Sequence, residues 1–393
     1  MAELRHGRHH LLRGPGGRPL RVAHLTTVDM SLHLLLGTEL AVDVEAGFDT
    51  YGISAPGPYT ERITGLGVTH VPLRALTRAW SPRGDAAAAR ELAAALRRVR
   101  PDVLHTHNPK TGVLGRLIGR ALRVPVVVNT CHGLWAQPHD PWHKRLLVHS
   151  AEGAAARCSH AELYQNAEDH RTLRAFAPAW RSRVVGNGVD LDRFRADPAA
   201  RERVRAELGV AGGELLVGAV GRRVEEKGVR EYAATARALA GKARFVWAGP
   251  LEPDKADAHD ASEDGVDFIG ERRDMPALYS ALDVFVLPSY REGFSRSAME
   301  AAACGLPMVL SDIRGCREIG GHDEHLLLVP PGDPVELTSA VSRLLTGEPL
   351  RKRLGEAAAR RAHSEFDQRT IARISIDTYA VVARRRSLDW QGL

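Results

Sequence analysis

Cysteine is scarce in this sequence, and its spacing does not suggest a disulfide framework. Four of the 393 residues are cysteine: Cys131, Cys158, Cys304 and Cys316. They form no CxxC pair, and two of them lie in segments with the pattern of a core or a site. We therefore expect free thiols and a reducing, cytoplasmic compartment.

Long apolar runs and one glycine fingerprint are also missing. No stretch approaches the ~18 consecutive apolar residues that a membrane-spanning helix needs. No G-x-G-x-x-G follows the first predicted strand of either half of the chain, which argues against an NAD-dependent oxidoreductase.

Positive charge is concentrated at the N-terminus. The chain carries 54 Lys and Arg against 48 Asp and Glu, a net charge of +6, and much of the excess lies in residues 1–20. We predict a disordered basic tail there, either a solvated leader or a segment attracted to phosphate-rich partners or anionic lipid. The tail lacks the apolar region of a signal peptide.

The rest of the chain alternates between strand-like and helix-like segments. With 393 residues and 44% hydrophobic content, two packed cores are expected. The first series starts with a strand at residues 21–25, followed by a helix at 32–45, and the pattern restarts at residue 215. It predicts α/β architecture with two Rossmann-like, doubly wound parallel-sheet domains.

Predicted boundaries follow from this pattern. The N-terminal domain covers residues 21–185, a Gly-, Asp- and Asn-rich linker covers 186–200, and the C-terminal domain covers 201–367. A long final helix at 368–385 follows.

The most informative stretch runs from residue 283 to 318. It predicts a strand at 284–287, a polar loop, a helix at 295–304 and a second strand at 308–310. Ligands of such βαβ units lie where a strand end meets a helix start. Ser295 is a plausible N-cap, so the backbone N–H groups of Phe294 and Ser295 and the positive end of the helix dipole favour an anion such as phosphate. Glu292 and Glu300 can hold hydroxyl groups on either side of it, which predicts a nucleotide-sugar site.

The motif Glu292-x7-Glu300 within EGFSRSAMEAAACGLPMV resembles the signature of the retaining glycosyltransferases of family GT4, which have the GT-B fold. The resemblance extends from about residue 21 to 385. Within the family, the chain resembles a bacterial subgroup that functions in polysaccharide and exopolysaccharide assembly. It implies two domains facing a cleft, with the final helix packing back onto the first domain. It also implies that the N-terminal domain binds the acceptor and the C-terminal domain binds the donor.

The segment GRRVEEKGV resembles the GT4 pattern G-R-x-x-x-x-K-G, whose Arg and Lys bind the donor phosphates. The resemblance assigns this role to Arg222 and Lys227, with Arg223 as a competitor for it. Such cations stabilise the departing diphosphate more than the ground state, so no metal is required. Glu300 is expected to bind the ribose hydroxyls and Glu292 the transferred sugar. Gly249 and Ile269, at two further strand ends, are expected near the base through backbone groups.

In the N-terminal domain, the resemblance places a donor-sugar contact at His132, which follows an apolar strand. A role for His132 as general base is a second alternative. No nucleophile is evident, and the resemblance implies a front-side displacement in which the leaving phosphate takes the acceptor's proton.

Three further polar residues are candidates for the acceptor side: Ser31, which could also cap the helix that follows it, His107, and Lys110 as a ligand of an acceptor phosphate. Many GT4 enzymes have a Gly-Gly loop where this chain has residues 26–31, TTVDMS. A metal site at His105 and His107 stays open as an alternative, although no third ligand has suitable spacing. Asp190 and Asp192 match the Asp-x-Asp pattern of a metal-binding motif, but they lie in the linker. We expect no metal or other cofactor.

A basic, partly amphipathic region at residues 78–100, with Trp80, suggests either peripheral membrane contact or an ordinary solvated helix face. We predict a cytoplasmic, metal-independent glycosyltransferase, functioning at the inner face of the plasma membrane if that contact forms. It would transfer a hexose or N-acetylhexosamine from a UDP-linked sugar to a glycan or polyprenyl-linked acceptor in cell-surface polysaccharide assembly. The alternatives are a nucleotide-sugar 2-epimerase and a non-catalytic nucleotide-sugar-binding protein. No nucleic-acid partner is expected.

Overall fold

The computed structural model describes residues 12–136, 140–251, 253, 257–259 and 262–393. The chain divides into two compact units: the first contains residues 1–185 and 369–393, and the second contains residues 186–368. Each unit is a parallel α/β sheet with helices packed on it, which confirms the predicted fold class.

The first unit contains a seven-stranded parallel sheet. Its strands are β1 (Arg21–Val28), β2 (Asp49–Ala55), β3 (Thr69–Pro72), β4 (Val103–His107), β5 (Val126–Cys131), β6 (Ala161–Tyr164) and β7 (Ser182–Val184), in the spatial order β3-β2-β1-β4-β5-β6-β7. The strand order reverses between β1 and β4, where Val22 pairs with Val103 and Leu25 with Thr106.

Eight helices belong to the described part of this unit. They are α1 (Asp29–Leu34), α2 (Gly37–Glu45), α3 (Thr60–Thr64), α4 (Pro82–Val99), α5 (Pro109–Ala121), α6 (Trp142–Ala156), α7 (Ala167–Leu173) and, at the end of the chain, α15 (Gln368–Arg385). The final helix packs its apolar face into the core of this unit, with Ile376, Tyr379 and Val382 buried.

The second unit contains a six-stranded parallel sheet. Its strands are β8 (Leu216–Val220), β9 (Arg244–Ala248), β10 (Val266–Gly270), β11 (Val284–Leu287), β12 (Met308–Ser311) and β13 (Leu327–Val329), in the spatial order β10-β9-β8-β11-β12-β13. Here the order reverses between β8 and β11. Such switch points leave a crevice at the carboxyl ends of the strands, where ligands of open α/β sheets bind.

Seven helices cover the second sheet within the described residues: α8 (Pro198–Glu207), α9 (Val229–Ala238), α10 (Met275–Ala281), α11 (Arg296–Ala303), α12 (Arg314–Arg317), α13 (Pro334–Thr346) and α14 (Glu348–Glu365). The central strand β11 is buried along its whole length. Both faces of a parallel sheet are covered by helices, so its strands are continuously apolar rather than alternating.

Two segments differ from their predicted structure. The described part of the predicted tail, residues 12–20, packs onto the first unit: Leu12 and Leu20 are buried, and Arg18 forms a bidentate ion pair with Asp102 at 2.7 Å. The helix predicted at 32–45 is two helices, α1 and α2. Its apolar periodicity is continuous, but Leu36 leaves the helical conformation (φ −111°, ψ 0°) just before Gly37.

No helix in the described ranges is both long and apolar enough to cross a bilayer.

Candidate functional site

Two of the predicted donor residues of the second unit meet at the switch point of its sheet. The loop after β8 carries Lys227 and the loop after β11 carries Glu292, and the Lys227 ammonium donates to Glu292 Oε1 at 2.6 Å. Both side chains are only partly exposed, at 15% and 12%. A cation and a carboxylate 65 positions apart in sequence thus form one largely buried pair at the carboxyl edge of the sheet.

Glycine is required at two positions that bring these loops together. Gly228 has a left-handed φ of +76°, and a Cβ there would lie 2.2 Å from the carbonyl oxygen of Pro288. Gly249 has a φ of +149°, and a Cβ would lie 1.9 Å from the carbonyl oxygen of Gly221. Side chains at either position would separate the strand ends, so these glycines permit the close approach of backbones around the Lys227–Glu292 pair.

The structure distinguishes the two neighbouring arginines of the first loop. The Arg223 guanidinium lies 3.7 Å from the centre of the Phe268 ring, a cation–π contact at the end of β10. Arg222 is 36% exposed and approaches Glu226 only at 4.0 Å. Arg223 is thus committed to an aromatic ring, and the assignment of the donor phosphates to Arg222 stays a prediction.

The helix that follows β11 begins as predicted. Ser295 is the N-cap of α11, and its hydroxyl accepts from the backbone N–H of Ala298 at 3.4 Å. Ser295 and Phe294 are both buried, with Phe294 packed edge-on against Phe366. A capped first turn beside Lys227 combines the helix dipole with a cation, which suits an anionic ligand.

Glu300 lies on the flank of α11, one turn and a half from the helix start. Tyr279 donates to Glu300 Oε2 at 2.9 Å, and Arg296 lies 3.4 Å from Oε1. Burial raises the pKa of Glu300, and Arg296 and Tyr279 oppose that rise. The carboxylate is thus held in one orientation by a rigid aromatic hydroxyl.

The strand ends predicted near the base lie at the same edge. The Gly249 N–H donates to the Gly270 carbonyl at 2.8 Å, which links the ends of β9 and β10. Ile269 is half-buried against the core. The role of these two residues at the base stays a prediction.

No role was predicted for Gly315, which packs against the loop that carries Glu292. A Cβ on Gly315 would lie 2.5 Å from the Glu292 carbonyl oxygen, so α12 packs directly on that backbone. Beside it, Arg314 and Cys316 are buried. The available signal was the glycine itself, which lies between Arg314 and Cys316 and permits a close backbone approach.

In the first unit, His132 follows β5 and is joined to two other histidines. His132 Nε2 lies 2.9 Å from His107 Nδ1, and His107 Nε2 lies 3.2 Å from His24 Nδ1. His24 Nε2 in turn lies 2.8 Å from Asp43 Oδ2. His24, His107 and Asp43 are completely or almost completely buried. The acceptor candidate His107 is therefore an internal residue that contacts His132.

His105 belongs to a neighbouring set of polar groups. Its Nδ1 lies 2.7 Å from the Tyr379 hydroxyl and 3.3 Å from Glu39 Oε1, and its Nε2 lies 2.7 Å from the Thr130 hydroxyl. His24, Glu39, His105 and His107 place their ligand atoms within 4.8 Å of one another, a grouping that could hold a metal ion. Glu39, on α2, is the third ligand that sequence spacing did not suggest. Each ring nitrogen of these three histidines also has a hydrogen-bond partner, whereas Glu39 Oε1 has none among the described residues. The absence of a metal stays a prediction.

A pocket of 310 Å³ opens at the switch point of the first sheet. It is lined by Thr27, Ser31, Arg78, Trp80, Asn108, Pro109, Lys110 and Trp135. The indole rings of Trp80 and Trp135 lie 6.4 Å apart. Ser31 lines this pocket but does not cap a helix, since Val28 occupies the N-cap position of α1.

Lys110 has a different environment from the predicted one. It is 4% exposed, and its ammonium donates to the carbonyls of Thr77 at 2.9 Å and Ala79 at 2.6 Å and pairs with Asp85. These three acceptors occupy the three N–H bonds of the ammonium. Lys110 therefore fixes the loop that carries Trp80, which leaves Arg78 as the exposed cation of this pocket.

The Asp190–Asp192 pair has a local role. Asp190 Oδ1 accepts from the backbone N–H of Arg193 at 3.0 Å, and Asp192 is exposed. This is the pattern of a turn, and nothing in the described residues brings further ligands to it.

Comparison with known proteins agrees with this geometry. Residues 34–188 match the family model described as "Glycosyl transferase 4-like domain", and residues 214–347 match "Glycosyl transferases group 1". The chain is 27% identical over 298 residues to the N,N'-diacetylbacillosaminyl-diphospho-undecaprenol alpha-1,3-N-acetylgalactosaminyltransferase of Campylobacter jejuni, covering 73% of this chain and 79% of that protein.

Two further proteins extend the comparison. The 2-deoxystreptamine N-acetyl-D-glucosaminyltransferase of Streptomyces fradiae is 31% identical over 316 residues, covering 75% of this chain and 74% of that protein. The crystal structure of Anabaena HepE in complex with UDP-glucose superimposes with a TM-score of 0.78 at 18% identity, covering 92% of this chain and all of that one. The two family matches and the Streptomyces relative show that this chain belongs to the GT4 glycosyltransferases, with the GT-B fold.

Proposed function

We propose that the protein is a retaining glycosyltransferase that transfers a hexose or N-acetylhexosamine from a UDP-sugar to a polyprenyl-diphosphate-linked glycan in cell-surface polysaccharide assembly. The observation that carries the proposal is the Lys227–Glu292 pair beside the capped start of α11. The donor class is supported by the UDP-glucose bound to HepE, and the acceptor class by the diphospho-undecaprenol acceptor named for the Campylobacter relative.

In this proposal the second unit stabilises the leaving group. Lys227, Arg222 and the N–H groups at the start of α11 would contact the diphosphate, whose negative charge grows as the glycosidic bond breaks. The Lys227–Glu292 contact holds the ammonium in place before the donor binds. These groups supply the positive charge that a divalent cation supplies in other glycosyltransferases, so the reaction needs no metal.

The two glutamates would bind hydroxyl groups. Glu300, oriented by Tyr279, would accept from both ribose hydroxyls, since a carboxylate has lone pairs enough for two donors. Glu292 would accept a hydrogen bond from a hydroxyl of the transferred sugar while its Oε1 atom holds the Lys227 ammonium. Since no free nucleophile is assigned, the acceptor attacks from the face that the leaving phosphate vacates and gives its proton to that phosphate. This keeps the anomeric configuration.

The first unit would bind the acceptor in the pocket next to α1. Aromatic faces such as Trp80 and Trp135 suit the apolar face of a sugar ring, and the exposed Arg78 suits a phosphate oxygen. Ser31 and Asn108 offer hydrogen bonds in the same pocket. Because Lys110 is occupied, its contribution would be to hold Trp80 in place.

Membrane contact would use the start of α6 rather than residues 78–100. The apolar face of α4 is buried in the core, which leaves mainly arginines exposed on that helix. On α6, by contrast, Trp142, Leu146 and Leu147 are 74%, 58% and 69% exposed, and Lys144 and Arg145 lie between them. A cluster of exposed apolar residues with interspersed cations is typical of a helix that lies at the surface of an anionic membrane.

The proposal is tested by incubating the purified protein with UDP-glucose, UDP-galactose and their N-acetyl forms, with and without a short polyprenyl-diphosphate-GlcNAc acceptor. One donor is expected to yield UDP and a product whose new linkage keeps the donor's anomeric configuration by NMR. An inverted linkage would contradict the retaining mechanism. A changed nucleotide sugar in the absence of acceptor would indicate an epimerase instead.

The membrane part has its own test. Liposomes containing anionic phospholipid should co-sediment the wild-type protein at low salt, and Leu146→Ser with Leu147→Ser should abolish co-sedimentation. Loss of binding with Arg97→Ser and Arg98→Ser, at the exposed end of α4, and not with the α6 changes would place the contact on α4.

A further inference from the structure

Asn108, which lies between β4 and α5, has a backbone conformation that is almost reserved for glycine. Its φ is +64° and its ψ is 153°. Arg100, another non-glycine residue with positive φ, has a φ of 48° and a ψ of 60° at the end of α4, which is the ordinary left-handed conformation. Asn108 lies instead in the extended region with positive φ, where a Cβ atom is strained and glycine is the usual residue.

The neighbouring residue explains only one of these two angles. Pro109 follows Asn108, and a residue before proline is driven to extended ψ values, which excludes the left-handed helical conformation. The positive φ is the strained part. Strained residues persist only where the surrounding contacts hold them, and they cluster at functional sites. The contacts of Asn108 therefore indicate what its strain maintains.

The Asn108 side chain is bonded to the end of β1. Its Oδ1 atom accepts from the backbone N–H of Thr27 at 3.2 Å. The pairing of β1 with β2 shifts register between Leu25 and Val28, so Thr27 lies where the ladder of backbone hydrogen bonds is interrupted. A side chain from the neighbouring strand's end thus supplies an acceptor at this irregularity.

This contact fixes the orientation of the Asn108 amide. The Oδ1 atom has to face Thr27, because an N–H needs an acceptor and the Nδ2 group offers only donors. Nδ2 itself has no hydrogen-bond partner among the described residues, and Asn108 lines the 310 Å³ pocket of the first unit. Its two N–H bonds are therefore available to a ligand in that pocket.

The same turn of chain also holds a second wall of the pocket. Lys110, two residues after Asn108, donates to the carbonyls of Thr77 and Ala79 and so fixes the loop that carries Trp80. The segment that follows β4 thus connects the end of β1 with the Trp80 loop. A small movement of this segment would displace both walls together.

We propose that Asn108 positions the acceptor in this pocket: its Oδ1 atom holds the end of β1, and its Nδ2 group donates a hydrogen bond to an oxygen of the acceptor. This inference rests on the proposed function, which places the acceptor here. A phosphate oxygen and a sugar hydroxyl both offer the lone pair that Nδ2 needs. The strained backbone directs one amide toward two partners, which no unstrained residue after β4 would do.

Urea unfolding and hydrogen exchange of the full-length protein test the local geometry without any substrate. Asn108→Gly removes the strain and Asn108→Ala keeps it, while both lose the bond to Thr27. The urea midpoint of Asn108→Ala should therefore lie below that of Asn108→Gly. Exchange of the segment around Thr27, followed by mass spectrometry, should be at least about tenfold faster in both variants than in the wild type. Equal midpoints, or an unchanged exchange rate, would overturn the proposal.

Titration calorimetry tests the contact with the acceptor, with a short polyprenyl-diphosphate-GlcNAc as the probe. Asn108→Gly should weaken its binding about 5- to 50-fold, the value of one hydrogen bond to a ligand, and leave the affinity for UDP unchanged. Arg100→Gly relieves a positive φ outside the pocket and should change neither affinity. An unchanged acceptor affinity in Asn108→Gly would refute the contact.

The variant Asn108→Asp identifies the acceptor oxygen. It keeps an oxygen toward Thr27 and replaces Nδ2 by a second carboxylate oxygen. A phosphate oxygen would be repelled, so binding would weaken at least as much as in Asn108→Gly, whereas a sugar hydroxyl can donate to the carboxylate and would keep nearly the wild-type affinity. A wild-type protein that binds UDP but not this acceptor would overturn the proposal and leave the donor site intact. Binding of neither ligand would contradict the proposed function itself.

Discussion

The two sheets place very different chemistry at the same topological position. At the switch point of the second unit, Lys227 and Glu292 form a largely buried ion pair. At that of the first unit, His132 stands at the end of a chain of completely buried imidazoles. Burial lowers the pKa of His107 and His132 and so favours their neutral forms, whereas the charges of Lys227 and Glu292 compensate each other.

The difference fits the two ends of a glycosidic bond. Negative charge accumulates on the leaving diphosphate, so its site gains from fixed positive charge. Positive character develops on the sugar, so the residues near it gain from carrying none. In this account the second unit supplies charge to the diphosphate, and His132 of the first unit supplies an uncharged polar group to the sugar.

The largest expected effect comes from removing charge from the second unit. Lys227→Ala should lower kcat/KM by roughly 10²- to 10³-fold, since one preorganised group that stabilises transition-state charge is worth that much. Nucleoside-diphosphate affinity should fall with it. Lys242→Ala, at an exposed cation of the same unit, is the matched control and should leave both quantities unchanged. Equal losses in the two variants would mean that net charge matters and the site does not.

The adjacent arginines allow a finer comparison. Arg222→Ala should weaken UDP binding about 10- to 100-fold, the value of a hydrogen bond to a charged group. Arg223→Ala should weaken it less than about threefold, because its guanidinium stacks on Phe268. Titration calorimetry with UDP measures both. The reverse order would assign the phosphate role to Arg223.

Glu300→Gln isolates the contact with the ribose. The amide still accepts from Tyr279 but offers one oxygen instead of two, so UDP affinity should fall about tenfold. Wild-type protein should bind 2'-deoxy-UDP more weakly than UDP by a similar factor, and the variant should not distinguish the two ligands. A variant that still prefers UDP would show that another group binds the ribose.

Acidification should destabilise the first unit, with a smaller effect than the substitutions described above. Burial lowers the pKa of His132 and of His160 from 6.5 to about 4, with Arg386 and Arg120 adding to the effect at His160. The unfolded chain therefore binds protons between about pH 6.5 and 4 that the folded chain does not, and stability is lost as pH falls through this range. Each group contributes a slope of at most about 1.4 kcal/mol per pH unit.

Tryptophan fluorescence can follow this unit by itself. Five of the six tryptophans lie in the first unit, and Trp247 is the one in the second. Urea unfolding in a Trp247→Phe background should show a lower midpoint at pH 5 than at pH 7. His160→Gln should reduce that difference, and an unchanged difference would mean that His160 does not carry a lowered pKa.

Sequence patterns could predict the sheets because strands buried on both faces are continuously apolar, as at β11. They could also predict the start of α11, since Ser295 caps a helix through local contacts. Lys227 and Glu292 were assigned from the family resemblance, and the structure adds that they touch.

Long-range pairing explains what was missed. His24 and His107 are 83 positions apart, and nothing local to either indicates the other. Asp43 looked like an ordinary polar residue on an amphipathic helix, because its burial depends on the sheet beneath it. Lys110 was predicted to bind a ligand. Its acceptors are instead backbone carbonyls at residues 77 and 79, and a sequence pattern cannot reveal contacts with backbone carbonyls.

The most direct test of the central claim is thermal unfolding of the purified protein with UDP, GDP, ADP and TDP separately, in the wild type and in Lys227→Ala. A ligand at 100 times its dissociation constant stabilises the folded protein by about 2.7 kcal/mol, which is readily measured. The account predicts a shift with UDP that Lys227→Ala abolishes. A protein that none of the four stabilises, or a UDP shift that survives the loss of Lys227, would contradict the assignment of the donor site to the second unit's switch point.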